Sequence, residues 1–181
     1  MGADASGTAS KLATVLCVLR VTPDVRDAMF VHALSQAPLE ACGMISTHRD
    51  LALVDYFHPM RNAAKSATLF ELDGQEMLDL ERGIDETNRS LIGVMHSHTT
   101  TSAYPSPTDV RDAANFDPMG TFHHLIVSLR HPEPALRCYL ISGETITEVP
   151  VVVTDGDDDD GQSGDGAVAA QAAVMPFPRT E

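Results

Sequence analysis

Between Lys11 and Val21 apolar residues rich in Val and Leu run almost unbroken, the composition of a strand. The period then changes. In "VTPDVRDAMFVHALSQA" Val25, Met29 and Ala33 recur at helical spacing. Thr22 can cap that helix, Pro23 suits its first position and Asp24 meets the positive end of its dipole. "EACGMIS" and "LALVDYF" read as two strands. "HPMRNAAKSATLFELD" then breaks the pattern for about 16 residues, longer than an ordinary connection, and such loops are often functional. From Gly74 to about Asn88 an acidic helix is expected, with Met77, Leu80 and Ile84 inward. "LIGVMHSH" is a nearly continuous apolar strand that ends in two histidines, and a helix from about Pro107 to Phe116 follows it. "HHLIVSL", "LRCYLI" and "ETITEVPVVV" read as three closing strands. No internal repeat is visible. This order predicts one α+β domain with a mixed sheet over residues 11–153, between an arm at 1–10 and a tail at 154–181, both expected to be disordered.

Charge narrows the partners. The chain has 181 residues and a formal net charge of −14. An acidic surface argues against nucleic acid and anionic membranes, because both are polyanions. Six of the aspartates lie in "TDGDDDDGQSGDG", and setting them aside takes the net charge from −14 to −8. Cys17, Cys42 and Cys138 are few, odd in number and free of any CxxC, which fits a reduced, cytoplasmic protein better than a disulfide scaffold. The apolar run before Val21 is about ten residues long, too short to span a bilayer, so it reads as a strand and not a signal peptide.

The chemistry gathers in "HSHTTTSAYPSPTD", His96 to Asp109. Alternate residues of a strand share a face, so His96 and His98 project together. Two imidazoles can fill two corners of a metal tetrahedron, and Asp109 could supply a third, leaving one position for water. Each fragment has a plainer reading. His-x-His alone is a weak signal. "SPTD" alone is a good helix start, with Ser106 as cap, Pro107 at the first position and Asp109 three residues after the cap. Three rival metal motifs fail. Thr100 and Thr101 stand where HxHxDH needs Asp and His, and neither HExxH nor Pro-Cys-x-x-Cys occurs.

Taken whole, His-x-His, seven residues, Ser, two residues, Asp resembles the signature of the JAMM (MPN+) zinc peptidases. That family also carries an upstream glutamate, often as Glu-x-Cys-Gly, and "PLEACGMIS" supplies Glu40, Cys42 and Gly43. The likeness extends from about Val15 to Val153. "NAAKSATLFELD" and "HSHTTTSAYPSPTDV" look most like Mec-type peptidases, which trim the C-terminus of small ubiquitin-like sulfur-carrier proteins. The resemblance implies a single JAMM/MPN-like domain: a curved mixed sheet flanked by helices, of cytidine-deaminase-like architecture. It implies one Zn2+ per chain held by His96, His98 and Asp109, with Glu40 as general acid/base and Ser106 holding the oxyanion. It implies hydrolysis after a carrier's Gly-Gly end, releasing cysteine from a carrier–cysteine adduct. Trimming of a carrier precursor, removal of a carrier from protein lysines, and a non-catalytic carrier-binding module are the alternatives.

In such enzymes an extended substrate tail lies beside the insert. Arg61 and Lys65 are the only Lys or Arg between His58 and Asp73, so one of them is a candidate contact for a substrate carboxylate. The plainer reading is two solvated bases. Cys42 shares a strand face with Glu40 and could be redox-active, though the reading preferred is a small buried strand residue. His123 and His124 are neighbours, point to opposite faces and read as structural. His32 and His48 show no partner in the sequence, and His58, at the head of the insert, could contact substrate, though a simple loop residue is the plainer reading. It does not set the oligomeric state.

Overall fold

Thr22 opens the first helix as its sequence predicts: its hydroxyl accepts from the Val25 N–H at 3.3 Å, and Pro23 follows. In the computed structural model, residues 18–49 and 52–155 are described. The elements run β1 (Leu19–Val21), α1 (Pro23–Gln36), β2 (Cys42–His48), β3 (Val54–Met60), α2 (Gly74–Ile84), β4 (Arg89–His98), α3 (Pro107–Phe116), β5 (His123–Ser128), β6 (Ala135–Ser142), β7 (Thr145–Val149) and β8 (Val151–Val153). The strands make one mixed sheet ordered β7–β6–β5–β4–β2–β3–β1–β8. This is the expected α+β class.

Several boundaries differ from expectation, each for a physical reason. Of the expected first strand, Leu19–Val21 is described, and residues 11–17 lie outside the described residues, as do the arm at 1–10 and nearly all of the tail. The insert is shorter than expected, because His58, Pro59 and Met60 still pair with β2. Helix α2 stops at Ile84, and Asp85–Thr87 tighten into a 3-10 turn that ends on Asn88 at φ 53°. Asp85 and Glu86 there would meet the negative end of the helix dipole. "ETITEVPVVV" is two strands and not one, because Pro150 has no N–H to continue a ladder. Its carbonyl instead accepts from the Leu19 N–H at 2.9 Å. β7 pairs with β6 while β8 pairs with β1, at opposite ends of the strand order. Two edge strands one residue apart in sequence force the sheet to curl until its edges approach.

Helix α1 covers one face. Val25, Met29 and Ala33 pack there against Val21, Ile45, Met95 and Leu125. The other face carries two smaller clusters. Met44, Met60 and Val94 lie under Phe70, Leu72, Met77 and Leu80 from the insert and α2. Ile126, Tyr139 and Ile141 lie with Ala103, Ala113 and Val110, the last two from α3. Because Val94 is in the first cluster, and Ile126, the strand partner of His96, is in the second, β4 delivers His96 and His98 to the seam between them.

Candidate metal centre

His96, His98 and Asp109 meet at that seam, all three buried. His96 Nε2 and His98 Nε2 lie 3.2 Å apart, and Asp109 Oδ2 lies 3.4 Å from the first and 3.3 Å from the second. A tetrahedral ion with bonds of about 2.0–2.1 Å separates its ligand atoms by about 3.3 Å. The three side chains therefore have the spacing, as well as the donor types, to hold a metal ion. The His98 ring is also oriented for this: Nδ1 donates to the Ser102 carbonyl at 2.8 Å, so when the ring is neutral it is Nε2 that carries the lone pair a metal needs. The His96 ring is held differently, stacked on Phe70 with centroids 4.4 Å apart.

Asp109 reaches the histidines because the loop before α3 is tied down along its length. Ser128 Oγ donates to the Thr101 carbonyl at 2.6 Å, and Tyr139 Oη to that of Ala103 at 2.7 Å. Helix α3 then starts on a capping box. The Asp109 N–H donates to Ser106 Oγ at 3.2 Å, and the Ser106 N–H to Asp109 Oδ2 at 2.6 Å. The oxygen that caps the helix is thus the one that faces the imidazoles. Ser106 Oγ accepts one bond here and still has its own proton to donate.

Glu40 stands just ahead of β2 and is 5% exposed. Cys42 is the strand partner of His96, so the residues leading into β2 run beside the metal donors. Both backbone groups of Glu40 are held by the insert: its N–H donates to the Ser66 carbonyl at 2.9 Å, and its carbonyl accepts from Asn62 Nδ2 at 2.9 Å. The next residue is fastened to β4, since the Ala41 N–H donates to Ser97 Oγ at 2.8 Å and the Ala41 carbonyl accepts from the Ser97 N–H at 3.0 Å.

The environment separates the two carboxylates. Burial pushes Glu40 up to about 7, with His98 pulling against the rise and Asp109 adding to it. Burial would raise Asp109 too, but the bonds from His96 and His98 and the Ser106 N–H hold it well below the usual carboxylate range. Burial lowers His96, whereas at His98 burial is outweighed by Asp109 and the Ser102 carbonyl. The two carboxylates are thus pushed in opposite directions, Asp109 towards the charged form and Glu40 towards the protonated one.

A family profile described as "Prokaryotic homologs of the JAB domain" matches residues 22–141. The chain belongs to this family. Among JAB-domain relatives, it is 37% identical over 139 residues to a CysO-cysteine peptidase of Mycobacterium tuberculosis, covering 76% of this chain and 92% of that protein. It is 30% identical over 77 residues to a desampylase of Pyrococcus furiosus, covering 42% of this chain and 54% of that protein. Among solved structures, protein DSY2949 from Desulfitobacterium hafniense superposes with a TM-score of 0.68 at 30% identity, over 76% of this chain and 93% of that one. The single JAB/MPN-like domain, with its curved mixed sheet and three helices, matches these neighbours.

The remaining predicted residues are scattered. Arg61 is ion-paired with Asp73, and its N–H donates to Glu76 Oε2 at 2.7 Å. Lys65, exposed at φ 48° in the insert, has no ion pair seen among the described residues. Cys42 is fully buried, and burial pushes its thiol up to about 12, the opposite of a reactive thiolate. His58 bonds Ser46 Oγ at 2.9 Å, and His32 bonds the Cys42 carbonyl at 3.1 Å. His123 bonds the Ile92 carbonyl at 3.2 Å, while His124 is buried with Nε2 4.0 Å from Asp117. Sequence reasoning missed Asn62, Ser97 and Phe70, which hold Glu40 and His96 in place. Only an asparagine at the start of an otherwise irregular insert hinted at the first.

Proposed function

We propose that this chain is a cytoplasmic zinc peptidase that cleaves after the Gly-Gly end of a small ubiquitin-like sulfur-carrier protein, releasing cysteine from a carrier–cysteine adduct. The observation that carries the reading is the convergence of His96 Nε2, His98 Nε2 and Asp109 Oδ2 at tetrahedral spacing close to a buried carboxylate raised to about 7. Support for the substrate comes from the likeness to the CysO-cysteine peptidase, over 92% of that protein's length.

His96, His98 and Asp109 would bind the zinc ion. When bound, zinc lowers the pKa of water towards neutrality and polarises a carbonyl. Glu40 takes the attacking water's proton and passes it to the departing amine; a carboxyl whose burial favours the protonated form is suited to hold the proton between the two transfers. Ser106 keeps its hydroxyl proton free while accepting from Asp109, and donates it to the carbonyl oxygen. Because Asp73 occupies Arg61, Lys65 is the better placed of the two bases to meet a carboxylate of the carrier.

The test is a zinc-loaded sample incubated with a Gly-Gly-tailed carrier bearing one C-terminal cysteine, followed by intact mass. Chelator-sensitive loss of one cysteine residue is expected. Binding without cleavage would indicate a carrier-binding module instead. Cleavage of an isopeptide-linked conjugate, with the cysteine adduct left whole, would indicate a deconjugating enzyme, the reading to which the desampylase likeness leans. Activity only on a longer carrier precursor would indicate a trimming role.

A further inference from the structure

The insert does more than border the site. The Asn62 side chain is 7% exposed and makes its full complement of hydrogen bonds, two given and two accepted. Nδ2 donates to the carbonyls of Glu40 at 2.9 Å and Leu69 at 3.0 Å. Oδ1 accepts from the N–H groups of Ala64 at 3.0 Å and Glu71 at 3.1 Å. Three of these bonds fold the insert around one amide, and the fourth ties that fold to Glu40. With the Ser66 carbonyl on the Glu40 N–H, both backbone groups of Glu40 bond to the insert and neither to a strand.

We infer that Asn62 is the positioning residue of the general base: the order of the insert is transmitted through this amide to the carboxylate of Glu40. The inference rests on the reading of Glu40 as the base. It follows from where the bonds go. β2 begins at Cys42, and Ala41 is already fastened to Ser97. The chain just before that anchor keeps its course only while the insert stays folded. Displacement of a catalytic group by about 1 Å can cost about 10² in rate. A segment of substrate lying along the insert would steady the same fold, so it would raise turnover as well as affinity. Two of the three metal donors do not share this dependence, because His98 and Asp109 are held by Ser102 and Ser106 on the other side of the seam, whereas His96 touches the insert through its stack on Phe70.

Residue-resolved hydrogen exchange on the wild-type protein tests the link without a substrate. The Glu40 amide should exchange together with Ala64 and Glu71, and faster than Met44 and Ile45 in β2. Exchange of the Glu40 amide at the β2 rate would overturn the proposal, whatever the activity of the enzyme. Asn62→Asp, which keeps the shape and the acceptor but loses both donors, tests the consequence. Expected are a fall in kcat of about tenfold or more, a rise in KM, and a change in zinc affinity well below the fall in kcat. A smaller fall in kcat, or parallel loss of zinc affinity, would overturn it, the second because Asn62 would then support the whole site. A wild-type enzyme that coupled the exchange but cleaved no carrier would sink the proposed function alone.

Discussion

On the α1 side of the sheet, Met95 and Leu125 meet Met29 and Ala33, and the contact is defined by shape and apolar area. On the opposite side, the same strand that contributes Met95 presents Val94, His96 and His98, and the contact is defined by lone pairs, protons and charge. One residue of phase separates the two in β4. The first face is redundant: many apolar neighbours share the stabilisation, and a volume-conserving change is tolerated. The second is singular: each of His96, His98, Asp109 and Glu40 has a separate position and ionisation state, and no neighbour can replace it. The two faces should therefore fail in different ways.

The largest separation is expected at Glu40. Glu40→Gln should lower turnover by about 10³–10⁴ with the fold and the metal retained, measured as kcat alongside a melting curve. Near-normal turnover would end the assignment of Glu40 as the base. On the other face, Met29→Ala should cost about 2–5 kcal/mol of stability in denaturant melts, because Met29 is fully buried. Zinc affinity per folded molecule should change little, and a comparable loss of affinity would show that the faces are not separable. Ser106→Ala crosses the comparison, since Ser106 both caps α3 and stands beside the donors. A rate loss of about 10² is expected with about 1 kcal/mol of stability, and loss of stability alone would make Ser106 a cap and nothing more.

A smaller and more diagnostic effect concerns pH. Glu40 is raised from an unfolded value of 4.5 to about 7, so between those values the folded state binds more protons than the unfolded state. Its contribution to stability therefore declines as pH rises from about 4.5 to 7 and stays lost above that. In the metal-free protein Glu40→Gln should be more stable than wild type at pH 8, by on the order of 1–3 kcal/mol, and nearly equal to it at pH 4. Equal stability at both pH values would refute the raised carboxyl.

The parts of the molecule legible in sequence are those written locally. Helix α3 runs from Pro107 to Phe116 as expected, because Ser106, Pro107 and Asp109 are cap chemistry within one turn. The split at Pro150 was not read, because the fate of Val151–Val153 depends on β1, well over a hundred residues earlier. The convergence of His96, His98 and Asp109 was legible through their spacing, since strand alternation and a helix start each fix a direction. Their supports were not. Asn62 acts on carbonyls 22 residues before it and 7 after it, and Ser97 reaches back 56 residues to Ala41, so no periodicity marks either one. Arg61 looked available because Asp73, which engages it, lies at the far end of the same insert.

Native mass spectrometry of zinc-supplemented wild type, Asp109→Ala and Glu40→Gln would test the centre most directly. One zinc per chain is expected in wild type and in Glu40→Gln, with occupancy lost or sharply reduced in Asp109→Ala. Full occupancy in Asp109→Ala, or loss of the metal in Glu40→Gln, would contradict the division between the residues that hold the ion and the residue that moves the proton.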